Sequence, residues 1–351
     1  MKRVSIFTGT DWRYLMDLFA TLGPACARKD ILCAMFRAGM TGIRYNLAHG
    51  SLTDAEPWIK LYFAAAKECN VENPRLLIDL QGPGLRIHKG GTAIQLRQGS
   101  VLHLERDLKA PQVLIDNAEP GDLISIDDGA FELEVQSYSQ AKVIRGGRLL
   151  PGKNVCIVGK ELDSPALTPG DLDALKAAKR LGVTDIMLSF VRSANDLSNL
   201  RKVMDEMGLS NIKIYAKIET LEGLASIASM YDLADVFLLA RGDLGNRLPL
   251  WHLPRVQKRM AAKLQEANKP FAVATQLLST METNRIPTRA EVNDVFNAVL
   301  DGAVCLFLTG ETAIGSYPAE AMDTLSRTAN DAQDFLSYQH WLAKRNAQKK
   351  Q

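Results

Sequence analysis

Lys213-Ile214-Tyr215-Ala216-Lys217 is a short apolar run closing on a charge; a helical pattern over 221–231 follows it, and then a second run, Val236-Phe237-Leu238-Leu239-Ala240-Arg241. Short apolar runs that alternate with helical patterns mark β/α units around a parallel sheet. Working outward from this unit, further runs occur at 18–22, 42–46, 76–79, 185–189, 271–275 and 304–309, which brings the total to eight. Eight is the number of strands that closes a parallel barrel, so the expected fold is a TIM (β/α)8 barrel of the α/β class.

Helical patterns over 29–39, 56–70, 169–182, 193–208, 253–268, 288–302 and 318–339 separate most of the remaining runs. Thr168-Pro169-Gly170-Asp171 reads as a helix start, and Gly182, Gly208 and Gly302 read as helix ends. The exception lies between the third and fourth runs. There Val101-Leu102-His103-Leu104, Leu123-Ile124-Ser125-Ile126 and Phe131-Glu132-Leu133-Glu134-Val135 alternate in the manner of antiparallel strands. The expected organisation is therefore a first barrel part over 1–86, a small all-β domain inserted after the third strand over 87–159, a second barrel part over 160–339 and a basic tail over 340–351.

Hydrophobic residues at 46% and charged residues at 23% are near the globular average, which predicts a folded chain. Lys and Arg number 42 against 40 Asp and Glu, for a net charge of +2, and no long basic block precedes the last dozen residues, so no nucleic-acid partner is expected. Lys344, Arg345, Lys349 and Lys350 read as a solvated chain end. The five cysteines, Cys26, Cys33, Cys69, Cys156 and Cys305, lack close-pair zinc spacing and suggest a reducing compartment. No apolar stretch is long enough for a signal peptide or a membrane span, so a cytoplasmic protein with no membrane partner is expected.

In such barrels the C-terminal ends of the strands build the active site. In chain order those ends offer Thr21, Arg44, Asn46, Asp79, Arg86, Ser189, Lys217, Glu219, Asp243, Thr275, Thr309 and Glu311. Carboxylates, a lysine and two arginines at one mouth suit a metal-bound, multiply charged phosphate substrate. Strand alternation points Lys217 and Glu219 to the same side. Ala240-Arg241-Gly242-Asp243-Leu244-Gly245 sets a carboxylate in a tight glycine-flanked loop. Magnesium takes one or two carboxylates and fills its shell with substrate oxygens and water, so Glu219 with Asp243 is the candidate metal pair. The histidines, His49 included, lack metal-ligand spacing, and there is neither a nucleophile elbow nor a Gly-x-x-x-x-Gly-Lys-Ser/Thr loop.

Several of these segments resemble pyruvate kinase motifs in order and spacing. They include Lys217-Ile218-Glu219, Ala240-Arg241-Gly242-Asp243-Leu244-Gly245, Ala274-Thr275-Gln276, Pro287-Thr288-Arg289-Ala290-Glu291 and Gly310-Glu311-Thr312-Ala313, with Leu22-Gly23-Pro24, Gly82-Pro83 and Asp127-Asp128-Gly129 earlier in the chain. The resemblance covers roughly residues 18–330. It implies a catalytic barrel with the inserted domain as a mobile lid, and transfer of a phosphoryl group between phosphoenolpyruvate and ADP or ATP with Mg or Mn. It assigns Glu219 and Asp243 to the metal, and Lys217, Thr275 and Arg44 to catalysis. Asn46, His49, Arg86, Lys153, Gly242 and Thr309 fall to phosphate, nucleotide and cofactor binding.

Departures from the family pattern shape further expectations. Ala48 and Leu80 replace hydroxyl side chains that help bind potassium, so that site is expected to be lost or altered. Gln81 and Gly84 remove two charges from the loop 79–86, and Arg247 replaces an acid after the metal loop. The family's C-terminal regulatory domain has no counterpart in the sequence, so no sugar-phosphate activation is expected and a homodimer is favoured over a tetramer. Two alternatives stay open: metal-dependent enolate chemistry of the aldolase or lyase type on a pyruvate-like substrate, and a non-catalytic binding or regulatory role.

Overall fold

The structure, a computed structural model, describes residues 16–87, 92–127, 129–160, 165–245 and 247–348. Its strands are β1 Asp17–Thr21, β2 Gly42–Asn46, β3 Arg75–Asp79, β4 Ile94–Leu96, β5 Val101–His103, β6 Leu123–Ile126, β7 Phe131–Ser137, β8 Gln140–Arg145, β9 Gly147–Leu149, β10 Val155–Ile157, β11 Asp185–Leu188, β12 Lys213–Ile218, β13 Val236–Ala240, β14 Phe271–Ala274 and β15 Cys305–Phe307. β1, β2, β3, β11, β12, β13, β14 and β15 close in that order into a parallel barrel, with β15 returning to β1. The expected eight runs are these eight strands.

Side-chain alternation divides the strand residues between two cores. Phe19, Leu77, Met187, Tyr215, Leu238, Ala272 and Phe307 form one cluster of inward residues, in which Phe19 and Phe307 stack with centroids 4.8 Å apart. Their neighbours, such as Leu18, Ile78, Ile186, Ile214 and Leu306, belong to a second cluster with the helices outside. The outer helices start where capping chemistry requires. Thr168 with Asp171, Ser193 with Asp196 and Thr288 with Glu291 each form a reciprocal capping box, satisfying orphan amides in both directions. At the far ends Gly182 and Gly208 take φ of +74° and +68°, which spares a side chain the left-handed strain.

At the N-terminal face, Arg75 bridges Asp17 and Asp185 and donates to the Tyr215 hydroxyl at 2.8 Å. An ion cluster at this end of a barrel holds strands together rather than serving chemistry.

Between β3 and β11 the chain forms a five-stranded antiparallel sheet, β10-β6-β7-β8-β5, and a separate β4-β9 pair. This insert has its own core, including Ile87, Leu104, Ile124, Leu133, Val143 and Leu149, and carries the helix Gln112–Asn117. The last helix, Pro318–Gln348, runs nine residues past the expected end at 339 (348 − 339). Among the described residues no helix is long and apolar enough to cross a membrane.

Candidate active site

Five strands meet at one buried carboxylate. Asp79, at the end of β3, has no solvent exposure, and its Oδ2 accepts from Arg44 Nε at 2.9 Å and from Arg44 Nη2, with Lys217 Nζ at 3.5 Å. Ser189, just beyond β11, donates its hydroxyl to Asp79 Oδ1 at 2.9 Å. Arg44 Nη1 donates to the Thr21 hydroxyl at 2.9 Å, and that hydroxyl donates to the Leu308 carbonyl at 2.8 Å. The parallel register produces this convergence by setting Thr21 beside Arg44 and Met187 beside Asp79. Burial opposes the charge on Asp79, but Lys217 and Arg44 outweigh it and hold the carboxyl below its usual range. Burial likewise opposes the Lys217 ammonium, while Asp79 and Glu219 hold its pKa above normal, so the lysine stays charged.

Glu219 sits one residue past β12 and is fully buried. Its Oε2 accepts from the Phe190 amide at 2.9 Å; Phe190 presents that amide from a left-handed turn with φ of +54°. Its Oε1 lies 2.9 Å from Lys217 Nζ, yet off the direction of a hydrogen bond, and is a buried oxygen without a hydrogen-bond partner. Burial, then the charges of Asp243 and Asp79, push the carboxyl up to about 8 against the pull of Lys217. Asp79, Glu219 and Asp243 share their surroundings with Lys217 and Arg44, so three carboxyls face two cations and an ionised Glu219 leaves the cluster short of positive charge. Glu219 and Asp243 are the carboxylates that could hold a divalent cation there. Among the described residues no group of three or more His, Cys, Asp or Glu could enclose a metal, so the remaining ligands would be substrate oxygens and water.

Asp243 lies in the short helix Arg241–Gly245, which the next strand end holds in place. Arg241 donates to the Thr275 carbonyl through Nε at 3.2 Å and Nη2 at 2.7 Å, and through Nη1 to Asp294 at 2.8 Å. The Gly242 amide donates to the Thr275 hydroxyl at 2.9 Å, and that hydroxyl donates to the Ala274 carbonyl at 2.6 Å. Thr275 has φ of +70°, a conformation that strains a β-branched residue by on the order of 1–3 kcal/mol and persists because these bonds fix it. Gly242 and Thr275 thus shape the Asp243 loop, and the Thr275 hydroxyl is engaged both as donor and as acceptor.

The segment leading into β10 crosses to the barrel mouth. Arg86 and Asn154 form an isolated bridge, Arg86 Nη1 donates to the Gly152 carbonyl at 2.7 Å, and Asn154 Nδ2 donates to Asp243 Oδ1 at 3.2 Å. Lys153 Nζ is 2.8 Å from Asp127 Oδ1. His49 shows exposed surface, but its ring sits among mouth residues where desolvation, then the positive charges of Arg86, Arg44 and Lys153, lower its pKa to about 4. The imidazole is therefore neutral at pH 7, within the influence of three cations. Asn46 accepts from the Ala48 amide at 3.1 Å and so caps the turn that carries His49. Thr309 donates its amide and hydroxyl to Glu311 Oε2 at 2.7 and 3.1 Å, which builds it into the last strand end.

Three further residues bear on the mouth. Asn154 reaches Asp243 from the insert. Asp171 is fully buried and takes the amides of Gln81 and Gly82 at 2.7 and 3.1 Å, bracing the turn after β3. Glu282 packs its carboxylate over Gly310, where a Cβ would meet Oε1 at 1.9 Å, and burial followed by Glu311 raises its pKa. Asp171 was legible in sequence only as a helix-start residue, while Asn154 and Glu282 reach the mouth through contacts that no local pattern announces.

Fold and site together define a (β/α)8-barrel protein whose charged side chains gather at the C-terminal strand ends. The chain belongs to the pyruvate kinase family: residues 15–322 match the model for the pyruvate kinase barrel domain. It is 35% identical over 344 residues to a pyruvate kinase of Geobacillus stearothermophilus, covering 93% of this chain and 58% of that relative. To a pyruvate kinase of Mycobacterium tuberculosis (strain ATCC 25618 / H37Rv) it is 36% identical over 324 residues, covering 88% and 68%. To one of Aeropyrum pernix it is 33% identical over 333 residues, covering 92% and 72%. The chain thus spans 58% of the length of the first of these relatives.

Proposed function

We propose that the chain is a phosphotransferase of the pyruvate kinase type, moving a phosphoryl group between phosphoenolpyruvate, or a related phosphoenol of a keto acid, and ADP or ATP with Mg or Mn. The observation that carries this reading is a charged lysine 2.9 Å from the orphaned oxygen of Glu219, beside Asp79-bound Arg44, at the strand-end mouth of a family barrel.

Phosphoryl transfer asks a protein chiefly for positioning and for positive charge around the equatorial oxygens. A divalent cation held by Glu219 and Asp243 would supply part of that charge. Lys217 supplies another part, and its ammonium can donate to the phosphoryl oxygen or to the enolate oxygen as charge develops there. Asp79 sets the angle of the Arg44 guanidinium by binding two of its nitrogens, so Arg44 meets an anion without first paying reorganisation. Arg86 and Lys153 bring charge from the insert side, and the Asn154 to Asp243 bond gives the insert a contact through which a closing lid would engage the metal loop. His49, being neutral, can offer a ring N–H to an anion without opposing the cations around it.

Initial rates of pyruvate formation test the reading, with phosphoenolpyruvate, ADP and Mg omitted in turn. All three are expected to be required. Pyruvate released without ADP, or a keto acid consumed with an aldehyde and no nucleotide, would point instead to hydrolysis or to aldol chemistry.

Two predictions follow from the metal pair and from the loop after β2. In metal-free protein Glu219 binds a proton that the unfolded chain releases between its normal pKa of 4.5 and about 8, so this group's contribution to stability falls as pH rises through that window. Glu219→Gln should therefore abolish Mg-dependent turnover without lowering the melting temperature of the metal-free protein at pH 7, and should remove the upward shift that Mg produces. A normal Mg-induced shift in the variant would contradict the assignment. Potassium should change the rate by less than about twofold relative to sodium or choline, since Leu80 is buried in the apolar core and Ala48 ends in a methyl, neither offering an oxygen to a cation. A large potassium activation in rate measurements would show that other oxygens take their place.

A further inference from the structure

The helix Pro169–Ala178 opens on a reciprocal cap in which the Thr168 amide and hydroxyl both donate to Asp171 Oδ2, at 2.9 and 2.8 Å. One carboxylate oxygen completes such a cap. The other, Oδ1, is used outside the helix, where it accepts the Gln81 amide at 2.7 Å, and the Gly82 amide reaches Oδ2 at 3.1 Å. Asp171 has no solvent exposure and no Lys, Arg or His partner among the described residues. A buried carboxylate matched only by amides and a hydroxyl holds those donors firmly, because moving any of them leaves its charge undersatisfied.

The turn held in this way, 81–84, is pressed against the neighbouring strand end. Gly82 has φ of +59°, and a Cβ there would meet the Ser189 carbonyl oxygen at 3.0 Å; a Cβ on Gly84 would meet the Phe190 ring at 2.6 Å. Glycine at both positions permits that approach. Ser189 and Phe190 are the residues that set two carboxylates of the mouth. The Ser189 hydroxyl binds Asp79 Oδ1, and the Phe190 amide binds Glu219 Oε2 from its left-handed turn. Beyond that turn the Val191 amide donates to the Lys217 carbonyl at 3.2 Å. An unbroken run of contacts therefore leads from the helix cap, through the turn after β3 and the Ser189–Phe190 pair, to the Glu219 carboxyl.

We infer that Asp171 is a positioning residue for Glu219 as a metal carboxylate, an inference that rests on the cation site proposed at Glu219 and Asp243. By pinning Gln81 and Gly82 it keeps the turn seated against Ser189 and Phe190. The Phe190 amide then occupies Glu219 Oε2 and leaves Oε1 for a cation. Once the turn is released, that amide moves off, and Glu219 rotates toward the Lys217 ammonium, already 2.9 Å from Oε1, so that neither oxygen is set for a divalent ion. Residues that orient a metal ligand from behind are worth about 10–100-fold in metal affinity.

Binding of Mn to the metal-free full chain, read from the electron paramagnetic resonance of the free ion, tests this without recourse to turnover. Asp171→Asn keeps the side-chain shape and an oxygen at the Oδ2 position, where three donors gather, but sets an amide nitrogen against the Gln81 N–H. The cap survives, the brace is lost, and the Mn dissociation constant is expected to rise about tenfold or more. Thr168→Ala does the reverse. It removes the capping hydroxyl and leaves Gln81 and Gly82 bonded, so it should lower the melting temperature with the dissociation constant unchanged. Gly84→Ala displaces Phe190 from the other end of the run and should weaken Mn binding as Asp171→Asn does, which keeps the test available if Asp171→Asn does not fold. A wild-type dissociation constant in either folded variant, where Glu219→Gln weakens binding, would overturn the positioning role alone. So would equal weakening in Thr168→Ala, which would reduce the effect to helix stability. Binding that Glu219→Gln leaves unchanged would overturn the metal assignment and this inference with it.

Discussion

Asp79→Asn is expected to lower the unfolding free energy by about 3–5 kcal/mol, because it removes one partner from a buried charge cluster and leaves Arg44 and Lys217 without it. The substitution keeps the volume and one acceptor oxygen, so the loss is electrostatic rather than steric. Ser189 loses its charged acceptor as well, and Arg44 loses the group that fixes its guanidinium. Urea denaturation at pH 7 measures the effect. A change below about 1 kcal/mol, the size of an exposed ion pair, would mean that the cluster is solvated and that the burial described for Asp79 is wrong.

Lys217→Met has the largest expected effect on turnover. Deleting one preorganised donor aimed at developing charge costs on the order of 10²–10³ in kcat, and here the donor carries a full charge and stands between two buried carboxylates. Binding of phosphoenolpyruvate should change much less than kcat, since Arg44, Arg86 and Lys153 remain. Without Lys217 the pull that lowers the Glu219 pKa disappears, so Glu219 should hold its proton to still higher pH. Lys217→Arg is not expected to restore turnover, because a planar fork cannot take the place of a compact ammonium wedged between the Asp79 and Glu219 carboxyls. Steady-state rates on the two variants check this, and a Lys217→Met enzyme within tenfold of wild type would remove the lysine from the chemistry.

Much of this site could be read from the strand ends. The period of two sets Lys217 and Glu219 on one side, and the same logic brings Asp79 and Ser189 to the mouth, where both prove to be bonded to one another. The less legible features all depend on distant contacts. The bridge between Arg86 and Asn154 joins segments far apart in the chain, and no local pattern announces which residue of the insert will reach Asp243. The left-handed turn at Thr275 runs against the preference of a β-branched residue and exists because Arg241 and Gly242 hold it from the neighbouring loop. The long final helix escaped the core periodicity because its buried stripe finishes at Leu336, while Ala343, Lys344, Arg345 and Gln348 favour helix on their own account.

Transfer of the phosphoryl group itself can be followed by ³¹P NMR without a coupling enzyme. Purified chain is mixed with phosphoenolpyruvate, ADP and Mg, alongside Lys217→Met and a sample with Mg chelated. The phosphoenolpyruvate resonance should fall as the three ATP resonances grow in equal amount, with both changes absent from the two controls. A phosphoenolpyruvate signal that persists in the wild-type sample, or one that is replaced by inorganic phosphate while ADP stays unchanged, would contradict it.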